Sequence, residues 1–200
     1  MEKETEEKIF DAARKVFHRR GFYGARMQEI ADEAKINKSM LHYYFRNKEK
    51  LFEVVFRDSF SRIIRKVFEV FESDLTLFNK VEKFVETYIG LLEANPYLPS
   101  FVFHEMNTNP EHLKDLLQEL HVEPPPVLSS QIKQAVKDGE IIPIQPIDFI
   151  VNLLALCAFP FIGKQMIISV FRLNDKQYKE FLTQRKKELS TFIINGLKAG

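Results

Sequence analysis

The sequence predicts an all-α protein. Three observations carry this: apolar residues recur at three- and four-residue intervals along most of the chain, Asn, Pro and Gly stand where helices start and stop, and no alternating run is long enough for a sheet. With 200 residues, 45% hydrophobic and 28% charged, the chain suits a small domain joined to a larger one with ample core material.

The elements follow in order. Ile9, Ala13, Val16 and Phe17 share a helical face, and Gly21 after Arg19 and Arg20 predicts a stop, giving a first helix over about 5–20. Met27 to Ala34 reads as a short second helix with Ile30 and Ala31 inward. Asn37 is a good N-cap for a third, in which Leu41 and Phe45 form the buried stripe. Asn47 caps a long fourth helix that joins a head, residues 1–47, to a body, residues 48–200.

Body helices are expected over 76–94, stopped by Asn95-Pro96, over 100–106, over 111–120 before Pro124-Pro125-Pro126, and over 127–138 before Gly139. Pro146 with Asp148 starts an apolar helix to about Arg172, and Asp175 opens the last one, to about Leu197. The stretch from Phe149 to Gly163 falls short of the roughly 20 residues a membrane span needs, and it contains Asn152 and Pro160. A buried helix or a subunit interface is expected, and no membrane partner. A lone Cys157 and a charged N-terminus fit a cytoplasmic protein.

Charge is unevenly placed. Net charge is +1, yet residues 8–50 hold eleven Lys or Arg against five Asp or Glu, so a basic head sits on an acidic body. Three short helices with a tight second turn are the layout of a helix-turn-helix, whose second helix enters the major groove. Lys38 and Ser39 stand at the positive end of that helix, with His42 and Tyr43 on its outward face. Lys and Tyr suit phosphate oxygens, Ser and His can read base edges, and Met40 or a ring can meet a thymine methyl. Lys48, in the first turn of the next helix, adds a cation beside amides that favour phosphate.

Ile9, Ala12, Ala13, Phe17, Gly21, Phe22, Ile30, Ala31, Ala34, Leu41, Tyr44, Phe45, Lys48, Glu49 and Leu51 stand in the spacing of a known family. Over residues 8–52 the chain resembles the TetR family of transcriptional regulators. The resemblance implies a homodimer with a DNA-binding head and a ligand-binding and dimerisation body that couples a small effector to DNA release, more commonly as a repressor. Its DNA-contacting positions fall here on Arg26, Gln28, Lys38, Ser39, Met40, His42, Tyr43, Tyr44 and Lys48. The body matches only in length, helix count and the "KDGEI" turn.

Three positions depart from the family pattern. Lys35 stands where Gly is usual, so a left-handed Lys costing about 1 kcal/mol is expected. Arg26 replaces a capping Ser or Thr, a weaker cap with a stronger phosphate ligand. His42 replaces a Tyr.

In the body, "LFNKVEKFVETYIGLLEA" is apolar on a face wide enough to be surrounded, and a Phe-rich interior with little buried charge favours an apolar or aromatic effector. Candidate ligand residues are Phe60, Ile64, Tyr88, Phe103, His104 and Asn152. Dimerisation is assigned to the last two helices, through Tyr178, Phe181, Leu182, Leu189, Phe192 and Ile193. His104, Glu105, His112 and His121 lack a metal-binding spacing, no catalytic signature appears, and neither cofactor nor enzyme activity is expected. A helical protein-interaction module, or an activator without ligand control, is the alternative reading.

Overall fold

The turns decide the architecture. A computed structural model describes residues 2–108 and 110–199, without the side chains of Glu2, Lys3, Glu105, Thr108 and His112. Among the described residues there are eleven helices: α1 (Glu2–Gly24), α2 (Met27–Ala34), α3 (Lys38–Tyr44), α4 (Lys48–Phe71), α5 (Leu77–Ala94), α6 (Leu98–Thr108), α7 (Pro110–Glu119), α8 (Pro126–Lys137), α9 (Pro146–Ile162), α10 (Lys164–Phe171) and α11 (Asp175–Leu197). The β pairing among these residues is one isolated bridge, Ile141 to Lys198.

Helix starts use side-chain oxygens. Asn37 accepts from the Met40 amide at 2.6 Å and Asn47 from the Lys50 amide at 2.9 Å, satisfying amides the helix itself leaves free. Asn174 and Gln177 form a reciprocal capping box at α11. Gly21, with φ 65° and ψ 179°, breaks α1 where the stop was expected, and a final turn, Phe22 to Gly24, follows it. Lys35 is left-handed (φ 58°, ψ 41°), as its place at the turn predicts.

Three helix ends share one pattern, in which a left-handed residue donates to the carbonyl three back and its successor to the carbonyl five back, and a fourth shares the second of these bonds. Lys35 and Ile36 bond to Asp32 and Ala31, His121 and Val122 to Gln118 and Leu117, and Gly139 and Glu140 to Val136 and Ala135. At Arg172 (φ 53°) the Leu173 amide reaches the Ile168 carbonyl.

The chain divides into two compact units. One holds the residues up to Arg62 together with Ala94–Leu116, and the other holds Ile63–Glu93 and Leu117 onward. The first has its core in Ile9, Ala13, Val16, Phe17, Ile30, Leu41, Leu51 and Val55, with Phe17 and Phe22 set edge-on to Phe52 at 4.8 Å. α6 belongs to this unit: Phe101 meets Phe52 and Phe56 at 4.4 Å, and the Tyr97 and Ser59 hydroxyls are 3.3 Å apart.

The second unit buries α5 along Leu77, Val81, Phe84, Val85, Ile89 and Leu92, as the wide apolar face requires. Among the described residues one charged side chain is buried there. Lys80 is 1% exposed, and its Nζ donates at 2.7 Å to the carbonyl of Phe71, the last residue of α4. The ammonium thereby occupies an orphan helix-end acceptor, which is why burial is tolerated.

The expected single helix from Pro146 to Arg172 is two, α9 and α10, bent by 67° at Gly163. Pro160 is the physical reason. It has no N–H for the Leu156 carbonyl four residues back. The Arg185 guanidinium of α11 takes that carbonyl instead, with Nη2 at 2.7 Å and Nε at 3.3 Å, and the Tyr178 hydroxyl donates to the Pro160 carbonyl at 2.8 Å. Among the described residues no single helix is long and apolar enough to cross a membrane, although α9 and α10 together pass on length and composition.

The α11 stripe also differs from its expected use. Tyr178, Leu182, Leu189 and Ile193 are buried within the chain itself, Phe181 is half-buried, and Phe192 is 68% exposed. Of the large apolar residues left open in the second unit, most lie on α9 and α10, among them Ile147, Val151, Phe159, Met166, Val170 and Phe171.

Candidate nucleic-acid interface

The head sorts its cations by pairing. α2 carries Glu29 and Glu33 toward α1, where Glu33 meets Arg19 at 2.9 Å and Lys15 at 3.6 Å, and Glu29 meets Arg20 at 3.3 Å. The Arg19 guanidinium, by hydrogen bonding, holds the Glu33 carboxyl below its ordinary range. Arg14 reaches Asp58 at 3.5 Å and Lys50 reaches Glu53 at 2.9 Å. Among the described residues Arg26, Lys35, Lys38 and Arg46 form no ion pair, and all four are exposed. In sequence they flank α2 and α3, so the uncompensated charge brackets the helix expected to read bases.

α3 is held by Leu41, fully buried, and by Phe45 just beyond it at 8% exposure. This fixes what faces outward. Tyr43 is 77% exposed, Met40 42%, and Lys38, Ser39 and His42 are exposed. Tyr44 is half-buried and meets the Tyr43 ring edge-on at 5.4 Å. His42 Nδ1 lies 3.1 Å from the Arg46 carbonyl oxygen. A carbonyl only accepts, so it is Nδ1 that carries the hydrogen of this bond.

Arg26 precedes α2 in extended conformation and makes no side-chain cap, leaving its guanidinium free for other use. The Gln28 amide donates to Asp32 at 2.8 Å. Lys48 is more constrained than its sequence position implies. Half-buried, it donates to the Ala25 carbonyl at 3.3 Å and stands 4.5 Å from the centre of the Phe22 ring. It therefore ties the start of α4 to the turn between α1 and α2, and an ammonium retains further donors.

The candidate ligand residues are divided between the units, Phe60, Phe103 and His104 in the first and Ile64, Tyr88 and Asn152 in the second. Phe60 is stacked on Phe56 at 5.4 Å, Ile64 is half-buried on the same helix, and Tyr88 is half-buried beside Phe84, its hydroxyl pKa raised by burial. Phe103 is 55% exposed, and His104 and Asn152 are exposed.

A cavity of about 610 Å3 opens in the first unit between the end of α1, the start of α4 and α6, and includes His104. A smaller one of about 190 Å3 in the second unit includes Asn152. The larger was invisible in the sequence, because its walls come from residues 20–23, 47–53 and 97–104. Of the four histidine-cluster residues, the side chains of Glu105 and His112 lie outside the described residues. Among the described residues no group of three or more metal-ligating side chains assembles.

Residues 9–55 match the family described as bacterial regulatory proteins, tetR family. The chain is 23% identical over 192 residues to the probable HTH-type transcriptional regulator YttP of Bacillus subtilis, covering 93% of this chain and 92% of that one. It is 50% identical over 48 residues to the HTH-type transcriptional repressor NicS of Pseudomonas putida, 24% of this chain and 23% of that one. Its fold is similar to the crystal structure of the transcriptional regulator FadR from Bacillus subtilis in complex with stearoyl-CoA. There the TM-score is 0.63 at 17% identity, over 96% of this chain and 98% of that one. On these grounds residues 9–55 form a helix-turn-helix head of the tetR family of bacterial regulatory proteins, and the chain as a whole, with its all-helical architecture, is similar to transcriptional regulators that carry such a head.

Proposed function

We propose that the protein is a dimeric repressor that binds an inverted-repeat DNA site through α3 and is released by a small apolar or aromatic effector. The observation that carries the DNA reading is the set of cations left without ion pairs, Arg26, Lys35, Lys38 and Arg46, bracketing a helix that holds Tyr43 in solvent. Arg26, Lys38 and Lys48 meet phosphates in this reading, while Ser39, Met40, His42 and Tyr43 face base edges, with Gln28 and Tyr44 beside them. The apolar residues left open on α9 and α10 support a two-fold interface made by the C-terminal helices, and two-fold symmetry predicts paired half-sites about one helical turn apart or somewhat more. Effector control is supported by the stearoyl-CoA held by the similar FadR and the repressor role by the name of NicS.

The test is selection from a random duplex pool followed by salt titration of the selected site. Log K falling steeply with log salt is expected, and Tyr43→Ala should cost about 1–3 kcal/mol on the selected site only. Weak, salt-independent binding with no enriched inverted repeat would instead favour a protein-interaction module.

A further inference from the structure

None of the residues assigned to DNA contact lines the cavity of the first unit, and its construction is that of a ligand site. About 610 Å3 lies within the range of small-molecule pockets. Its walls are rings: Phe22, Phe52, Tyr97 and Phe101, with Phe52 set against the other three at centroid distances of 4.4 to 6.1 Å.

Its rim is charged but largely matched. Arg20 is paired with Glu29 and Lys50 with Glu53, while Glu49 sits in the first turn of α4, where backbone amides already favour a carboxylate. An entering ion would therefore find little uncompensated charge, and an apolar ring would find four others. The Ser100 hydroxyl, with no partner among the described residues, and the His104 imidazole supply polar contacts.

We propose that this cavity binds an uncharged aromatic molecule with at least one hydrogen-bonding group, and that the head senses it through Phe22. This rests on the effector-controlled reading above and gives the effector a place next to the head instead of within the second unit. Phe22 is a wall of the cavity and also the ring beneath the Lys48 ammonium, which holds the Ala25 carbonyl just before α2. Immediately before Phe22 stands Gly21 at φ 65°, a conformation that other residues resist and a natural pivot for the last turn of α1. A ring seated against Phe22 thus competes with the contacts that set α2 and the start of α4. The Tyr23 hydroxyl, 3.2 Å from His104 Nε2, links the end of α1 to α6 beside the cavity.

The test uses the full chain and the neutral fluorophore N-phenyl-1-naphthylamine. Ser100→Trp and, one turn on, His104→Trp each place an indole in the cavity, and Asn152→Trp places one at the smaller cavity as control. The natural chain has no Trp, so blue-shifted indole emission reports that the cavity is filled. Saturable probe binding to the natural chain is expected, weakened about tenfold or more in the first two variants and changed less than about twofold in the third.

No saturable binding, or loss in Asn152→Trp alone, overturns the assignment. Saturating probe should also weaken binding to the selected duplex about tenfold, and an unchanged affinity overturns the link through Phe22. Duplex binding without probe tests DNA reading by itself, so the two ideas fail separately.

Discussion

Replacing Arg185 by Met tests whether the guanidinium stands in for the amide that Pro160 lacks. Arg185 donates through two nitrogens to the Leu156 carbonyl, which no helical N–H can reach, and the site is partly buried. Losing a charge-assisted bond and stranding its acceptor costs about 2 kcal/mol, within the 1.5–3 expected for bonds to charged groups. Pro160→Ala restores an N–H to the helix, so in that background Arg185→Met should cost less than about 1 kcal/mol, a coupling of at least 1 kcal/mol. Urea denaturation of the four proteins in a double-mutant cycle measures it, with unchanged m-values as the check on comparability. Effects adding to within about 0.3 kcal/mol would refute the substitution of one donor for the other.

Four further outcomes are expected. Lys48→Met should lower stability by about 1 kcal/mol through loss of the Ala25 and Phe22 contacts, and should lower the salt slope of DNA binding by about one; an unchanged slope would make Lys48 a strut alone. Lys35→Gly should stabilise the chain by about 0.5 kcal/mol, relief of left-handed strain exceeding the added entropy of the unfolded chain, and Lys35→Ala should show no such gain. Burial pushes the Cys157 thiol up to about 12, so a thiol-directed disulfide reagent at pH 8 should label it no faster than the protein unfolds. Phe171→Glu should shift sedimentation at micromolar concentration from dimer toward monomer, and an unchanged dimer would move the interface off α10.

What could be read from the sequence was local. Asn37 and Asn47 act within three residues, Gly21 and Lys35 set one turn each, and Leu41 with Phe45 hold α3 by simple periodicity, so the head and its outward face were legible. Longer-range facts were not. Nothing near Pro160 announces that Arg185, in another helix, will take its orphaned carbonyl, and so the α9–α10 bend stayed hidden inside one apolar run. Lys80 looks like a surface residue until the end of α4 arrives above it. The α11 stripe is apolar at the right spacing, but spacing cannot say whether a face meets its own chain or another copy. The larger cavity is assembled from three separated segments and leaves no periodic trace.

The left-handed helix ends have a consequence of their own. Where the turning residue is Lys35, His121 or Arg172, the residue after it is Ile36, Val122 or Leu173, each half-buried; where it is Gly139, the next is the exposed Glu140. Glycine turns unaided, whereas the others are held in place by an apolar anchor on the far side of the bend. Three of these full stops are therefore written one letter late. A polar residue at Ile36 would leave Lys35 free to relax toward right-handed geometry, and α2 would run on into the residues that now set where α3 begins.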